Sequence, residues 1–253
     1  MKSIMLRGEK IHSGNLVLVN AQYPFRESKA SNIAPVDYDC PNVFMNRDAA
    51  NILLLIFERI SSGKSIVPIS GYRTLEEQRV IYENSLHDKG EEFTRRYVAL
   101  PNHSEHHTGL AIDLALGKES VDFICPEFPY EGICDDFRSI APDYGFIERY
   151  SKDKEEITGI SHEPWHFRYV GFPHSKIIVE SGMSLEEYID FLKDYRVDDK
   201  LIFNQENKGF IEIYYTPTYD GETTLTIKEK SVHQISGNNV DGFITTIWRN
   251  VNE

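Results

Sequence analysis

Two short stretches of this 253-residue sequence carry side chains that could act together on a metal. The first, Ser104-Glu-His-His-Thr-Gly-Leu-Ala-Ile-Asp113, offers three imidazole or carboxylate groups in a row, then a glycine, then an apolar run enclosing an aspartate. Leu110, Ile112 and Leu114 alternate with Ala111, Asp113 and Ala115, the period of two expected of a half-buried strand. Asp113 therefore shares a face with two alanines, which leave room beside its carboxylate. A buried charge there is costly unless it is paired or bound to a metal; a core arginine is the competing partner. His106 lies an odd number of residues before Asp113, so one regular strand would put them on opposite faces. A turn through Thr108 and Gly109 is needed for both to reach one ion, and glycine permits that turn.

The second stretch is Ser161-His-Glu-Pro-Trp-His166. Taken literally it matches H-E-x-x-H, the helical zinc-protease pattern in which His162 and His166 would be ligands. Pro164 argues against the helix, because it removes a donor and pushes the residue before it out of helical geometry. Trp165, Phe167 and Tyr169 alternate with His166, Arg168 and Val170 as in a strand. His166 then points inward, with Glu163 just before the strand. His106, Asp113 and His166 make a two-histidine, one-carboxylate set with a fourth position open, as catalytic zinc requires. Glu163 is placed to take the proton of a water whose pKa the metal lowers to about 7.

The surrounding elements are those such a site needs. Gly14–Asn20 reads as a short buried strand, and residues 21–45 as loop. Ala49, Ile52, Leu53, Ile56 and Ile60 recur at helical spacing over residues 46–61, with Gly63 as the stop. Ser65–Ile69 reads as a strand that runs into Ser70-Gly-Tyr-Arg73. Thr74 and Glu77 then form a capping box for a helix to about Leu86, and a shorter helix covers Glu91–Leu100. A loop from Gly117 to Gly132 separates the Asp113 strand from a helix at Cys134–Ala141. Pro173 and Ser184 mark two further helix starts. His103 and His107 read as surface residues. Beyond about Arg196, Ile211–Tyr215, Thr223–Ile227 and Phe243–Trp248 are β-rich, separated by turn signals at Asp220-Gly221 and Gly237-Asn238. The division drawn from this is a catalytic domain over residues 1–195 and a small β-rich module over 196–253.

A net charge of −13 argues against nucleic-acid or anionic-membrane partners, which need a basic face. The longest apolar run, Ile52–Phe57, is far too short to span a bilayer. Residues 1–13 carry no apolar leader pattern. Cys40, Cys125 and Cys134 show no metal-type spacing and read as reduced thiols of a cytoplasmic protein.

The S-x-H-x(6)-D and E-x-x-H pair, preceded by Ser70-Gly-Tyr-Arg73, resembles the zinc D-Ala-D-Ala peptidases of the VanX and VanY type. The residues that carry the resemblance are Ser104, His106, Gly109, Ala111, Asp113, Glu163, Trp165 and His166, with Ser70–Gln78 as a second block. It covers roughly residues 14–195 and is similar to the soluble bifunctional VanXY branch in lacking a leader and having a longer C-terminus. The resemblance implies an α+β fold, a small antiparallel sheet flanked by helices, related to lysostaphin-type peptidases and the hedgehog signalling domain. It also implies Zn²⁺ on His106, Asp113 and His166, Glu163 as base and then acid, and Arg73 as the group that stabilises the oxyanion. Ser104 is a candidate for holding a substrate amide or terminus, or for shaping its turn. Gln78 is a candidate for the substrate carboxylate, or is merely exposed. The expected substrate is D-Ala-D-Ala, the D-Ala end of a peptidoglycan precursor, or both, with glycopeptide resistance as the consequence. A wall endopeptidase or endolysin, and a non-catalytic zinc-stabilised binding module, are the alternatives.

Overall fold

The computed structural model describes residues 2–26, 30, 32–37, 40–118, 121–206, 209–218 and 221–250. In chain order the described elements are β1 (Lys2–Arg7), β2 (Ile33–Pro35), β3 (Phe44–Asn46), α1 (Arg47–Arg59), β4 (Ile66–Ser70), α2 (Leu75–Lys89), α3 (Glu91–Tyr97) and β5 (Ala111–Leu116). They continue with α4 (Gly132–Ile140), β6 (Phe146–Tyr150), α5 (Glu155–Thr158), β7 (Glu163–Tyr169), α6 (His174–Ser181) and α7 (Leu185–Phe191). Strands β8 (Leu201–Gln205), β9 (Gly209–Pro217), β10 (Glu222–Ile227), β11 (Val232–Gly237) and β12 (Gly242–Arg249) complete the chain.

The chain divides into two compact units, Val19–Ser184 and Met1–Leu18 with Leu185–Glu253. The first is an α+β unit around a four-stranded sheet in the order β4-β5-β7-β6, in which every neighbouring pair is antiparallel. One face of that sheet carries the core. Ile112 and Leu114 of β5 and Phe167 of β7 meet Ala49, Leu53 and Ile56 of α1 and Phe137 of α4. The antiparallel register of β5 and β7 sets Asp113 directly opposite His166.

The helices start where the sequence provides caps. The Asn46 carboxamide accepts from the amides of Asp48 and Ala49 at the start of α1, and Thr74 and Glu77 close a reciprocal capping box on α2. Asn46→Ala is expected to lower stability by about 1 kcal/mol through loss of the cap. Chemical denaturation would show this as a shifted midpoint with an unchanged slope.

The second unit has its own antiparallel sheet in the order β11-β12-β9-β8, plus a separate β1–β10 pair. Its core includes Tyr214, Ile227 and Ile247. The division therefore differs from one at 195/196: Lys2–Arg7 pairs with Ile227–Glu222, which ties the N-terminal segment to the C-terminal strands. Helix α7 also groups with that unit. The run Gly14–Asn20, read as a strand, is not one. Leu16 and Leu18 are buried, but their amides bond to the Ser236 hydroxyl and the Asn238 carbonyl rather than to a ladder. The expected turn at Asp220 and the loop residue Ser120 lie outside the described residues.

Candidate active site

Two β-bulges and one tight turn bring the functional side chains together. Between β4 and β5 the register slips between Pro68 and Ser70, which leaves Ser70 opposite Asp113. Proline is tolerated there because β4 is an edge strand. Gly71 follows, and a Cβ at this position would lie 2.1 Å from the Phe44 carbonyl oxygen, so only glycine fits. Its carbonyl is then free to accept from His106 Nδ1 at 2.6 Å.

His106 sits in a single 3-10 turn, Glu105–Thr108, capped by Ser104 and ended by Gly109 in the left-handed region (φ +72°). This turn returns His106 to the face of Asp113. A second register shift, between β6 and β7, falls around Pro164 and Trp165. Strict alternation fails at this bulge, and Glu163, Trp165 and His166 all line the same cavity.

The cavity encloses about 50 Å³ and is walled by Arg73, Ser104, His106, Asp113, Glu163 and His166, with Tyr150 and Trp165 beside them. One ligand atom from each of His106, Asp113 and His166 lies within 4.8 Å of the others, and all three residues are buried. His166 Nδ1 is 2.9 Å from Asp113 Oδ1, and His106 Nε2 is 3.3 Å from Asp113 Oδ2. Glu163 Oε2 is 3.9 Å from His166 Nδ1.

The donor set fits a cation. The Gly71 carbonyl can only accept, so the His106 proton sits on Nδ1. Burial, aided by the charge of Arg73 and opposed by Asp113, pushes the His106 pKa down to about 4, so the ring is neutral. Its Nε2 lone pair therefore faces a carboxylate oxygen, acceptor against acceptor, an arrangement that a metal ion resolves. Burial alone would raise the pKa of Asp113, but the two histidines outweigh it and hold the group far below the usual carboxylate range. Burial also penalises the charged form of His166, yet the hydrogen bond to Asp113 and the nearby Glu105 carboxylate raise it to about 9. The Glu163 carboxyl is pushed up to about 8 by burial and by Asp113, against His166 and Arg73. A divalent ion beside Glu163 would favour its ionised form and bring that value down toward neutrality.

Arg73 is fixed from three sides. Its Nε donates to Ser70 Oγ (2.8 Å), Nη1 to Gln78 Oε1 (3.3 Å) and Nη2 to Asp113 Oδ2 (2.9 Å). The arginine partner weighed for Asp113 is thus present, and it shares the carboxylate with both imidazoles.

Residues 42–172 match the profile of the VanY family, D-alanyl-D-alanine carboxypeptidase. The chain belongs to this family. Among VanY-type relatives it is 42% identical over 179 residues to the bifunctional D-Ala-D-Ala dipeptidase and carboxypeptidase VanXYC of Enterococcus gallinarum, covering 70% of this chain and 94% of that protein. It is 36% identical to a D-alanyl-D-alanine carboxypeptidase of Enterococcus faecium, over 95% of this chain and 77% of the relative. The crystal structure of the vancomycin resistance D,D-dipeptidase VanXYg with a D-Ala-D-Ala phosphinate analogue superposes with a TM-score of 0.97. It is 62% identical and covers 98% of this chain and 99% of its own. A VanY D,D-pentapeptidase mutant from a VanB-type cassette, in complex with Zn(II), is 29% identical with a TM-score of 0.55, over 69% of this chain and 98% of its own. The chain is accordingly a peptidase with the small-sheet α+β fold of VanX and VanY enzymes.

Not every candidate of this VanY-type chain sits where the sequence suggested. Gln78 is fully buried and does not line the cavity. Its carboxamide accepts from Arg73 and donates to the Ala99 carbonyl at 2.8 Å, so it stands behind the arginine. Ser104 does line the cavity, while its hydroxyl also accepts from the His106 amide at 3.4 Å. His162 lies outside the cavity, against the Tyr130 hydroxyl at 2.6 Å. Since residues 163–169 are a strand, the helical zinc-protease geometry is absent.

His107, expected at the surface, is buried; its Nδ1 bonds to the Arg73 carbonyl at 2.8 Å. His103 is half-buried, with Nδ1 on the Asn20 carbonyl. Glu105 stood in the sequence only as one of three adjacent imidazole or carboxylate groups, with no separate role, and Tyr150 had no local pattern to mark it; Phe123 lies in the loop ahead of α4 and lines the cavity.

Proposed function

We propose that the chain is a zinc D,D-peptidase that hydrolyses D-Ala-D-Ala, removes the terminal D-Ala of peptidoglycan precursors, or does both, and thereby supports resistance to vancomycin-type glycopeptides. The observation that carries this reading is the convergence of His106, Asp113 and His166 on one buried point with Glu163 beside them. The relatives named for D-Ala-D-Ala hydrolysis support the substrate class.

In this reading His106 Nε2, the Asp113 carboxylate and His166 Nδ1 hold the ion. A bound zinc ion supplies Lewis acidity, polarising the peptide carbonyl and making water acidic enough to attack near neutral pH. Glu163 takes the proton of the attacking water and delivers it to the departing amine, a task suited to a carboxyl whose pKa lies near working pH. Arg73, held by Ser70, Gln78 and Asp113, presents its guanidinium to the oxygen on which negative charge develops. Gln78 serves as a positioning residue for Arg73, and Ser104 offers its hydroxyl to a substrate amide or terminus.

All seven residues fall within Val19–Ser184, which we take as the catalytic part of the domain drawn over residues 1–195. Among the described residues no helix is long and apolar enough to cross a membrane. Among the described residues Cys40, Cys125 and Cys134 form no disulfide, and we place the protein in the cytoplasm on that account.

The loop ahead of α4 is proposed to select between dipeptide and precursor. Phe123 and Ile124 line the cavity, and Phe123 is 54% exposed at its rim. Phe123→Ala, or a shortening of residues 121–127, should change the ratio of D-Ala-D-Ala to precursor hydrolysis. An unchanged ratio would discard this role.

The reading as a whole is tested by following D-Ala release from D-Ala-D-Ala and from a precursor ending in D-Ala-D-Ala, with and without a chelator. Hydrolysis that stops with the chelator and returns with zinc is expected. A zinc-loaded protein that cleaves neither substrate would point instead to a binding module.

A further inference from the structure

Glu105 precedes His106 in the chain and borders the same cavity, and its side chain is fully buried. Its Oε1 receives Arg149 Nε at 2.9 Å and Arg168 Nη1 at 2.8 Å, and all three side chains are 0% exposed. The other oxygen, Oε2, is buried and has no hydrogen-bond partner. His166 Nε2 is buried and without a partner too. These two atoms, an acceptor and a donor, lie 3.6 Å apart, a few tenths of an ångström beyond hydrogen-bond reach.

We propose that Glu105 is a positioning residue for the metal, its Oε2 holding the Nε2–H of His166 so that the Nδ1 lone pair faces the ion. The proposal rests on the reading of His166 as a ligand. Imidazole has one N–H when neutral, and the acceptor behind the ring decides which nitrogen carries it. Nδ1 is the nitrogen turned to Asp113 and Glu163. His106 is arranged the opposite way round, with Nδ1 on the Gly71 carbonyl and Nε2 forward. Each ring is thus anchored from behind, one by a main-chain carbonyl and the other by a carboxylate.

The two arginines explain how the anchor stays an anion. Burial would drive Glu105 toward its neutral form, but the charges of Arg149 and Arg168 hold it ionised. By crowding one oxygen they also leave the second free for His166. A purely structural ion cluster would account for Oε1 and leave both orphaned atoms unexplained. Carboxylate–histidine–metal relays of this kind fix ring orientation and raise ligand basicity.

The test is zinc affinity of the full chain, measured by chelator competition. Glu105→Gln preserves volume, and its single oxygen is claimed by the guanidinium groups, which turns an amide N–H toward His166 Nε2. Affinity should fall about 10–100-fold, and Glu105→Asp, which withdraws the carboxylate by one methylene, should fall comparably. Affinity within twofold of wild type in either folded variant overturns the proposal. Should both variants fail to fold, nitrogen-15 NMR of the zinc-loaded wild type decides. The His166 proton on Nε2, shifted downfield, is expected, and a proton on Nδ1 overturns it. His166→Ala is the control for the underlying reading. Wild-type zinc affinity in that variant would remove His166 from the ligand set, a failure distinct from that of Glu105 alone.

Discussion

Glu163→Ala should lower kcat for D-Ala-D-Ala by about 10²–10⁴, the range credited to a positioned proton-transfer group, and should still bind zinc. The reason lies in the setting of Glu163. Burial, helped by Asp113 and opposed by His166 and Arg73, moves the pKa of this carboxyl from the ordinary carboxylate range up to about 8. A carboxyl of that basicity can accept a proton from water and release it to an amine within one turnover. Its Oε2 stands 3.9 Å from His166 Nδ1, facing the ligand cluster. Glu163→Gln keeps the shape and loses the base, so its kcat should fall as far as that of the alanine variant. If either variant retains more than a tenth of wild-type kcat, Glu163 is not the base. If either loses its zinc, Glu163 is part of the metal site.

Arg73→Ala should cost about 10²–10³ in kcat, the loss seen when one oxyanion donor is removed. Its side chain is only 15% exposed, and its guanidinium is aimed by Ser70, Gln78 and Asp113. Lysine cannot reproduce that fork, so Arg73→Lys should recover charge but little of the rate. The same logic makes Gln78→Ala a milder variant, since it loosens the arginine without removing it. A rise in KM alone, with kcat intact, would assign Arg73 to ground-state binding of the substrate.

Much of this site is legible in the sequence because its signals are local. The alternation around Asp113, the Gly109 turn and the proline inside His162–His166 each constrain a few neighbouring residues. Together they place Asp113 and His166 on one sheet face. The Thr74–Glu77 box and the Asn46 region likewise announce their helices. What stays hidden depends on partners far away in the chain. Glu105 meets Arg149 and Arg168, which are 44 and 63 residues distant, and only the β6–β7 pairing brings them near. His107 is buried because Arg73 offers it a carbonyl.

Strands follow the same division. In the C-terminal sheet the central strands β9 and β12 are strongly apolar and readable. The edge strands β8 and β11 are half exposed and lose the contrast on which periodicity depends. Strand β1 has its partner more than 200 residues away, at β10. Glu163 is the instructive intermediate. Its place next to a strand could be read locally, whereas the bulge that turns it to the cavity arises only from the mismatch between β6 and β7.

The most direct test is a crystal structure of the zinc-loaded chain with anomalous scattering recorded at the zinc edge, beside the same experiment on Asp113→Ala and His162→Ala. One peak is expected, in contact with His106 Nε2, the Asp113 carboxylate and His166 Nδ1, with no fourth protein ligand. That peak should vanish in Asp113→Ala and persist in His162→Ala. A peak bound through His162, or a fourth side chain closing the coordination sphere, would contradict the hydrolytic site described above.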